Sequence, residues 1–360
     1  MSATDRIGRR DLLRRSLAVG ATITGGGLLG ACEQRPVSTA SPPSASLPPP
    51  ETTTIRIASP FACDPPLWLA KDFLREEGFT DVQYVIEAQG TAKWVAAGAA
   101  DIGPGHPEAI VAAIDAGVPI VALAGIHTGC QELWAAPGIT SVRDLRGKRV
   151  AIFSRSTQDQ FFLFFSTLCA YVGIDPLTNV SFFEVAPDYA GMMTAYLDGR
   201  SDALLAAADG ASVLRRESRN PGTKILDQST DKPWSQYLCC LLVAHREWAR
   251  RNPVATKRAT RAVLRAADAT AKDRPAAARA GVGASIRNLL GHANVPVEDI
   301  LNETIAMPSY DWREYDPEET LRFFALRLGD VKLIKSTPQQ IIAQGSDAAF
   351  MRQLRTGLKP

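Results

Sequence analysis

Gly138-Ile139-Thr140-Ser141-Val142-Arg143-Asp144-Leu145-Arg146-Gly147-Lys148-Arg149-Val150-Ala151 sits between two stretches of alternating strand and helix. Residues 139–153 give a short helical turn and then a strand. Downstream, Ser154-Arg155-Ser156-Thr157 leads into a long helix over about 158–172; VSFFEVA (180–186) is a strand, 188–199 a helix and DALLAA (202–207) a strand. Upstream, TIRIAS (54–59) alternates as a strand does. Pro65-Pro66 opens a helix that stops at Gly78, VQYVIEA (82–88) is a second strand, and Gly90 and Thr91 open a short helix. Residues 100–103 form a brief strand and His106-Pro107-Glu108 starts another helix. PIVALAGI (119–126) is apolar throughout, as a strand buried on both faces should be. This alternation implies an α/β fold.

After Lys224-Ile225-Leu226, SQYLCCLLVA (235–244) reads as one more strand, and from His245 the chain is almost all helical. Alanines separate the basic residues between Arg250 and Arg287, which marks a solvated helical face. Amphipathic pieces follow near 297–305, 317–328 and 347–357.

The N-terminus differs in kind. Arg9-Arg10 followed by Asp11-Leu12-Leu13-Arg14 resembles a twin-arginine export signal, and the uncharged, glycine-rich run SLAVGATITGGGLLGAC is too short to span a membrane comfortably. Leu29-Gly30-Ala31-Cys32 resembles a bacterial lipobox, which implies lipidation at Cys32. PVSTASPPSASLPPPETTT is rich in Pro, Ser and Thr, cannot bury enough apolar surface to offset chain entropy, and reads as a tether. The expected organisation is a signal over 1–31, a tether over 32–52 and a folded part from about Thr53. The expected location is periplasmic, anchored through Cys32.

The formal net charge of the 360 residues is +2, and the signal carries five of the arginines, so the remainder is near neutral. That excludes the strongly basic surface typical of nucleic-acid binders. FFLFFSTLCAYVG (161–173) is a buried helix by length. Cys63, Cys130, Cys169, Cys239 and Cys240 follow Cys32, an odd number without regular spacing, so a disulfide framework is not expected. Cys169, in the apolar helix, reads as a core residue. The chain has no Gly-x-Ser-x-Gly elbow, Walker loop, His-Glu-x-x-His motif or zinc-spaced cysteine pairs, and no cofactor is expected.

The ordered set of pieces resembles the solute-binding proteins of ABC importers, in the nitrate/sulfonate/taurine and thiamine-pyrimidine group. Gly138 to Ala151 match the phrase that starts the second lobe in that family. Leu197, Gly199, Asp202 and Ala203 match a later strand, and Asn252 to Arg258 a helix after the return to lobe one. The likeness covers roughly residues 53–290. It implies a type II periplasmic-binding-protein fold with an added helical C-terminal region: lobe one over 53–137 and again from 235, lobe two over 138–234. It implies a monomer that captures a small sulfonate-, nitrate- or thiamine-precursor-like solute and hands it to a permease and ATPase, with no catalysis.

In open α/β sheets ligands sit beyond the carboxyl ends of the strands, where helix N-termini point. The loops at such places supply the candidates: Phe61, Cys63, Asp64 and Trp68; Gln89, Gly90 and Thr91; His106; His127, Thr128 and Cys130; and Ser154, Arg155, Ser156, Thr157 and Gln158 as an anion cradle. Asp209 follows a strand where many relatives have Glu-Pro. Trp234, Gln236 and Tyr237 lie where the chain crosses back between lobes. Neighbours in a strand point to opposite faces, so only one of Cys239 and Cys240 should reach the cleft. The eukaryotic thiamine-pyrimidine synthases, distant relatives in fold, carry three cysteines in a row here, a run this chain lacks. The alternative reading is a metal-binding or synthase-like enzyme using Cys130, Cys239 or Cys240 and a histidine.

Overall fold

The computed structural model describes residues 47–58, 61–85, 95–185, 189–217, 221–283 and 296–357. The export signal, the lipobox and Cys32 lie outside them. So do Gln89, Gly90, Thr91 and the short helix expected around them.

The first half of the chain builds one sheet. It contains β1 (Thr54–Ala58), α1 (Pro65–Glu76), β2 (Asp81–Val85), β3 (Ile102–Gly105), α2 (Pro107–Asp115) and β4 (Ile120–Thr128). The chain then runs through Gly129-Cys130 into β5 (Gln131–Ala135), which belongs to a second sheet. That sheet is completed by β6 (Arg149–Ile152), β7 (Ser181–Glu184), β8 (Ala203–Ala207) and β9 (Thr223–Asp227), with α3 (Gln160–Tyr171), α4 (Pro176–Asn179), α5 (Tyr189–Leu197) and α6 (Ala208–Glu217) between them. From β9 the chain returns to the first sheet as β10 (Leu238–His245). It then enters the helices α7 (Arg246–Arg251), α8 (Pro253–Lys272), α9 (Arg274–Gly283), α10 (Val297–Ala306), α11 (Pro317–Asp330), α12 (Pro338–Gly345) and α13 (Ala349–Gly357). The strand orders are β2-β1-β3-β10-β4 and β7-β6-β8-β5-β9. β10 runs antiparallel between β3 and β4, and β5 antiparallel between β8 and β9.

Local chemistry explains the framework. Proline occupies the first turn of α1, α2, α8, α11 and α12, where its missing N–H costs nothing. In the stretch from Gly138 to Ala151, Gly138 and Gly147 take positive φ of 90° and 74°, a region open mainly to glycine. Between them Ser141 and Asp144 form a capping box on a 3-10 turn. Val150 and Ala151 then enter β6, paired with both β7 and β8. β4 is buried along its whole length. The long apolar helix is α3, whose Phe164 packs against Trp234 and against Phe324 of α11, so the C-terminal helices reach the second sheet as well as the first.

Two segments cross between the sheets, and they are stitched together. Gln228 donates its backbone N–H to the Gln131 carbonyl at 2.9 Å, while the Cys130 N–H donates to Gln228 Oε1 at 3.2 Å. A Cβ on Gly129 would stand 2.3 Å from the Gln228 carbonyl carbon, so only glycine fits where the crossings touch.

Three expectations need correction. β5 and α12 are present although the sequence pattern does not mark them. Glu51 accepts the N–H groups of Val254 and Ala255 at the start of α8, and Arg258 holds the carbonyls of Leu47 and Pro48. The end of the expected tether is therefore docked. The β10–β4 register slips on both sides of Cys240, and this bulge breaks the strict alternation expected of Cys239 and Cys240.

Candidate functional site at the crossing of the two sheets

Four of the five described cysteines converge where β4 leaves the first sheet and β10 re-enters it. Cys63 comes from the β1–α1 loop, Cys130 from the first crossing, and Cys239 and Cys240 from the start of β10. His106, the residue before α2, and His127, near the end of β4, join them. Asp64, His127 and both β10 cysteines are fully shielded from solvent, and Cys63, His106 and Cys130 are buried. The donor atoms form two overlapping groups, Cys63–His127–Cys130–Cys240 and His106–Cys239–Cys240. Within each group all donor atoms lie within 4.8 Å of one another.

The contacts are specific. Cys130 Sγ and Cys239 Sγ are 2.9 Å apart. His106 Nδ1 lies 3.2 Å from the Cys239 carbonyl, 3.7 Å from Cys239 Sγ and 4.0 Å from Cys240 Sγ. His127 Nδ1 donates to the Thr128 carbonyl at 2.6 Å, and Nε2 faces Asp64 Oδ1 at 3.0 Å. Tyr310 roofs the cluster: its hydroxyl donates to the Cys63 carbonyl at 3.0 Å and its ring lies 5.5 Å from that of His127. Phe61 covers His106 at 5.0 Å.

The charges are arranged in pairs. Hydrogen bonds from Cys130 and Cys240 hold the Cys63 thiol well below its ordinary range. Cys239 is lowered too: burial opposes its ionisation, but Cys130, Cys240 and His106 overrule it. Cys130 is raised, first through its bond to Cys239, and Cys240 is raised by burial. Two thiols with lowered and two with raised values therefore alternate. Burial works against protonation of both imidazoles, yet the hydrogen bond to Cys239 carries His106 up to about 10, and Cys63 and Asp64 raise His127 well above its usual value. Burial, then the Cys63 charge, lifts Asp64 to about 6. Burial lifts Glu108 to about 8, and Glu108 Oε1 has no hydrogen-bond partner. From the second sheet, Asp209 at the start of α6 is raised to about 6 by burial and then by Cys63. Such an arrangement of soft sulfur and imidazole donors can bind a thiophilic cation or exchange protons internally.

The other candidates lie elsewhere. Trp68 packs under α9 in the cluster that includes Tyr310 and donates Nε1 to the Ala277 carbonyl at 3.3 Å, so it is not among the donor groups. The anion cradle at the start of α3 is occupied by the protein itself. Asp159 accepts the N–H groups of Phe153, Ser154, Phe161 and Phe162, leaving Ser156 and Thr157 exposed beside a satisfied helix end. Arg155 pairs with Glu184. Trp234 sits in an aromatic cluster with Phe164, Tyr171 and Phe323; Tyr237 stacks on Phe323, and Gln236 is exposed. Sequence reasoning missed Tyr310, Glu108 and Tyr189. The Tyr189 hydroxyl accepts the Ala207 N–H next to Asp209.

Comparisons with known proteins agree with this architecture. The model of the family described as NMT1/THI5 like matches residues 69–278. No curated protein matches the chain by sequence. Among solved structures, the nitrate-binding protein NrtA from Synechocystis PCC 6803 superposes with a TM-score of 0.67 at 15% identity, covering 87% of this chain and 90% of its own. The alkanesulfonate-binding protein SsuA from Xanthomonas axonopodis pv. citri, bound to MOPS, gives 0.63 at 15% identity, covering 83% and 99%. The ligand-binding component of an ABC-type import system from Staphylococcus aureus, with zinc bound, gives 0.64 at 15%, covering 84% and 99%. The expected two-sheet periplasmic-binding-protein architecture is therefore the observed one, and the protein is a member of the NMT1/THI5-like family.

Proposed function

We propose that this chain is the extracytoplasmic solute-binding component of an ABC importer. It would close two lobes on a small solute and present it to a permease and its ATPase. The observation that carries the reading is the double crossing between sheets, with buried polar side chains from β1–α1, β3–α2, β4–β5 and β10 gathered at it. Two strands joining two rigid bodies make a hinge, and a solute held at that hinge favours the closed form. In the same reading, Arg9-Arg10 direct export, Cys32 carries a lipid, the tether ends where Leu47 docks on α8, and the protein works as a monomer without catalysis. Among the described residues no helix is long and apolar enough to cross a membrane.

Two of the named neighbours are nitrate- and alkanesulfonate-binding proteins, and those anions remain candidate solutes beside thiamine-precursor pyrimidines. The carboxylates Asp64 and Asp209 at the crossing, and the occupied helix end at Asp159, disfavour a free anion there. A thermal-shift panel of sulfonates, nitrate, aminopyrimidines and metal ions on the purified chain, paired with small-angle scattering, tests the reading. A solute that raises Tm and contracts the particle is the expected result. Stabilisation by none of them, or turnover of a solute by the protein alone, would contradict it.

A further inference from the structure

We infer that Cys63, Cys130, Cys240 and His127 form a binding site for one soft, thiophilic metal ion of the Cu(I) or Zn(II) class, and that this ion is the solute. The identification as solute rests on the import reading above; the site itself stands on geometry alone.

The donor set is three sulfurs and one imidazole, the combination that soft and borderline d10 ions take in four-coordinate sites. Their donor atoms lie within 4.8 Å of one another, where a tetrahedral site with bonds of about 2.3 Å needs roughly 3.7 Å between sulfurs, so a small contraction completes it. The carbonyl of Thr128 already takes the His127 Nδ1 proton, the orienting bond that ligating histidines usually make through their second nitrogen. Nε2, now facing Asp64, is the nitrogen left for the ion. Asp64 keeps a partner in the Phe61 N–H, which it accepts at 3.1 Å. Binding releases the thiol and imidazolium protons, and no electron moves.

Position argues for cargo rather than a structural rivet. Cys63 comes from the β1–α1 loop and Cys130 from the first crossing, while His127 and Cys240 are paired neighbours at the ends of β4 and β10 where the chain leaves and re-enters the first sheet. Asp209 and Tyr189 approach from the second sheet, so lobe closure would bring a carboxylate and a phenol over the ion. His106 and Cys239 adjoin the site through Cys240 and offer a second set of buried soft donors beside it. Cys169, buried inside α3, belongs to neither group and serves as the internal control.

The test is a competition titration of the purified full chain after reduction of its thiols. Cu(I) is presented anaerobically with a chromogenic chelator, and Zn(II) with a fluorescent one. The expected result is one equivalent of ion withdrawn per chain, with sulfur-to-metal charge-transfer absorption when Co(II) replaces Zn(II). Cys63→Ser, in a loop rather than a strand, should weaken binding at least about tenfold with unchanged circular dichroism, while Cys169→Ala and Ser156→Ala bind as the parent does. Failure of the folded parent to withdraw either ion overturns the site, as does equal affinity in Cys63→Ser. Preference between the two ions identifies which of them is carried. The import reading fails separately: if the site binds but cells with and without the chain accumulate the metal equally, the ion is not cargo. If no metal binds and an organic solute stabilises the protein, the import reading stands and this inference falls.

Discussion

The loops that feed the crossing of the sheets and the start of α3 look alike in sequence, since β1–α1, β3–α2 and β6–α3 all put polar residues where a strand ends and a helix begins. They have opposite fates. At α3, one carboxylate, Asp159, accepts four backbone N–H groups, and the helix end needs nothing further. At the crossing, thiols and imidazoles face mainly one another, and the carboxyl oxygen Glu108 Oε1 faces no donor. A helix terminus is a ligand site only when the protein leaves its donors unclaimed, and side-chain capping by a nearby Asp removes that opportunity.

Substitutions separate the two regions. The largest effect should come from Gly129→Ala, whose Cβ would meet the Gln228 backbone. Overpacking of this kind costs about 3 kcal/mol and should appear as a fall in the urea midpoint and a loss of solute-induced contraction. Asp159→Ala removes the cap of α3 and should cost about 1–2 kcal/mol, read by thermal unfolding, while leaving binding at the crossing intact. If it abolished binding, the separation of the two regions would be wrong.

Glu108→Gln tests the electrostatics of the crossing. The Glu108 carboxyl titrates near 8 in the folded protein against an ordinary 4.5, so the folded state holds that proton more tightly. Its contribution to stability is complete below about 4.5 and is lost as pH rises through about 8. Wild type should therefore lose stability across that window relative to the Gln variant, which has no such proton. Parallel Tm-against-pH curves would contradict the assignment. The smallest effect belongs to Ser156→Ala with Thr157→Ala, which should leave both stability and binding within error because both side chains are exposed.

The same contrast explains what the sequence revealed. Several helix starts were legible because proline and Asp at the caps act locally, as at Pro107, Asp316-Pro317 and Pro253. β5 was not, because QELWA carries Gln131 and Glu132 in buried positions. Glu132 is tolerated only through Arg215, Lys224 and Trp134, partners that come from α6, β9 and β5 itself. The candidates Cys63, His106, His127 and Cys130 were marked one loop at a time, but nothing local announces that they meet. The joint participation of Cys239 and Cys240 was hidden for another reason: the register slips around Cys240 follow from pairing with β4 and are invisible in a run of apolar residues. Tyr310 reaches the site from the helical C-terminal region, where the family likeness had ended.

X-ray absorption at the metal edge of the full chain loaded with one equivalent of Zn(II) examines the crossing directly. A first shell dominated by sulfur at about 2.3 Å, with one nitrogen near 2.0–2.1 Å, that loses one sulfur in Cys63→Ser is the expected spectrum. A shell of oxygen and nitrogen alone, unchanged by that substitution, would contradict the account.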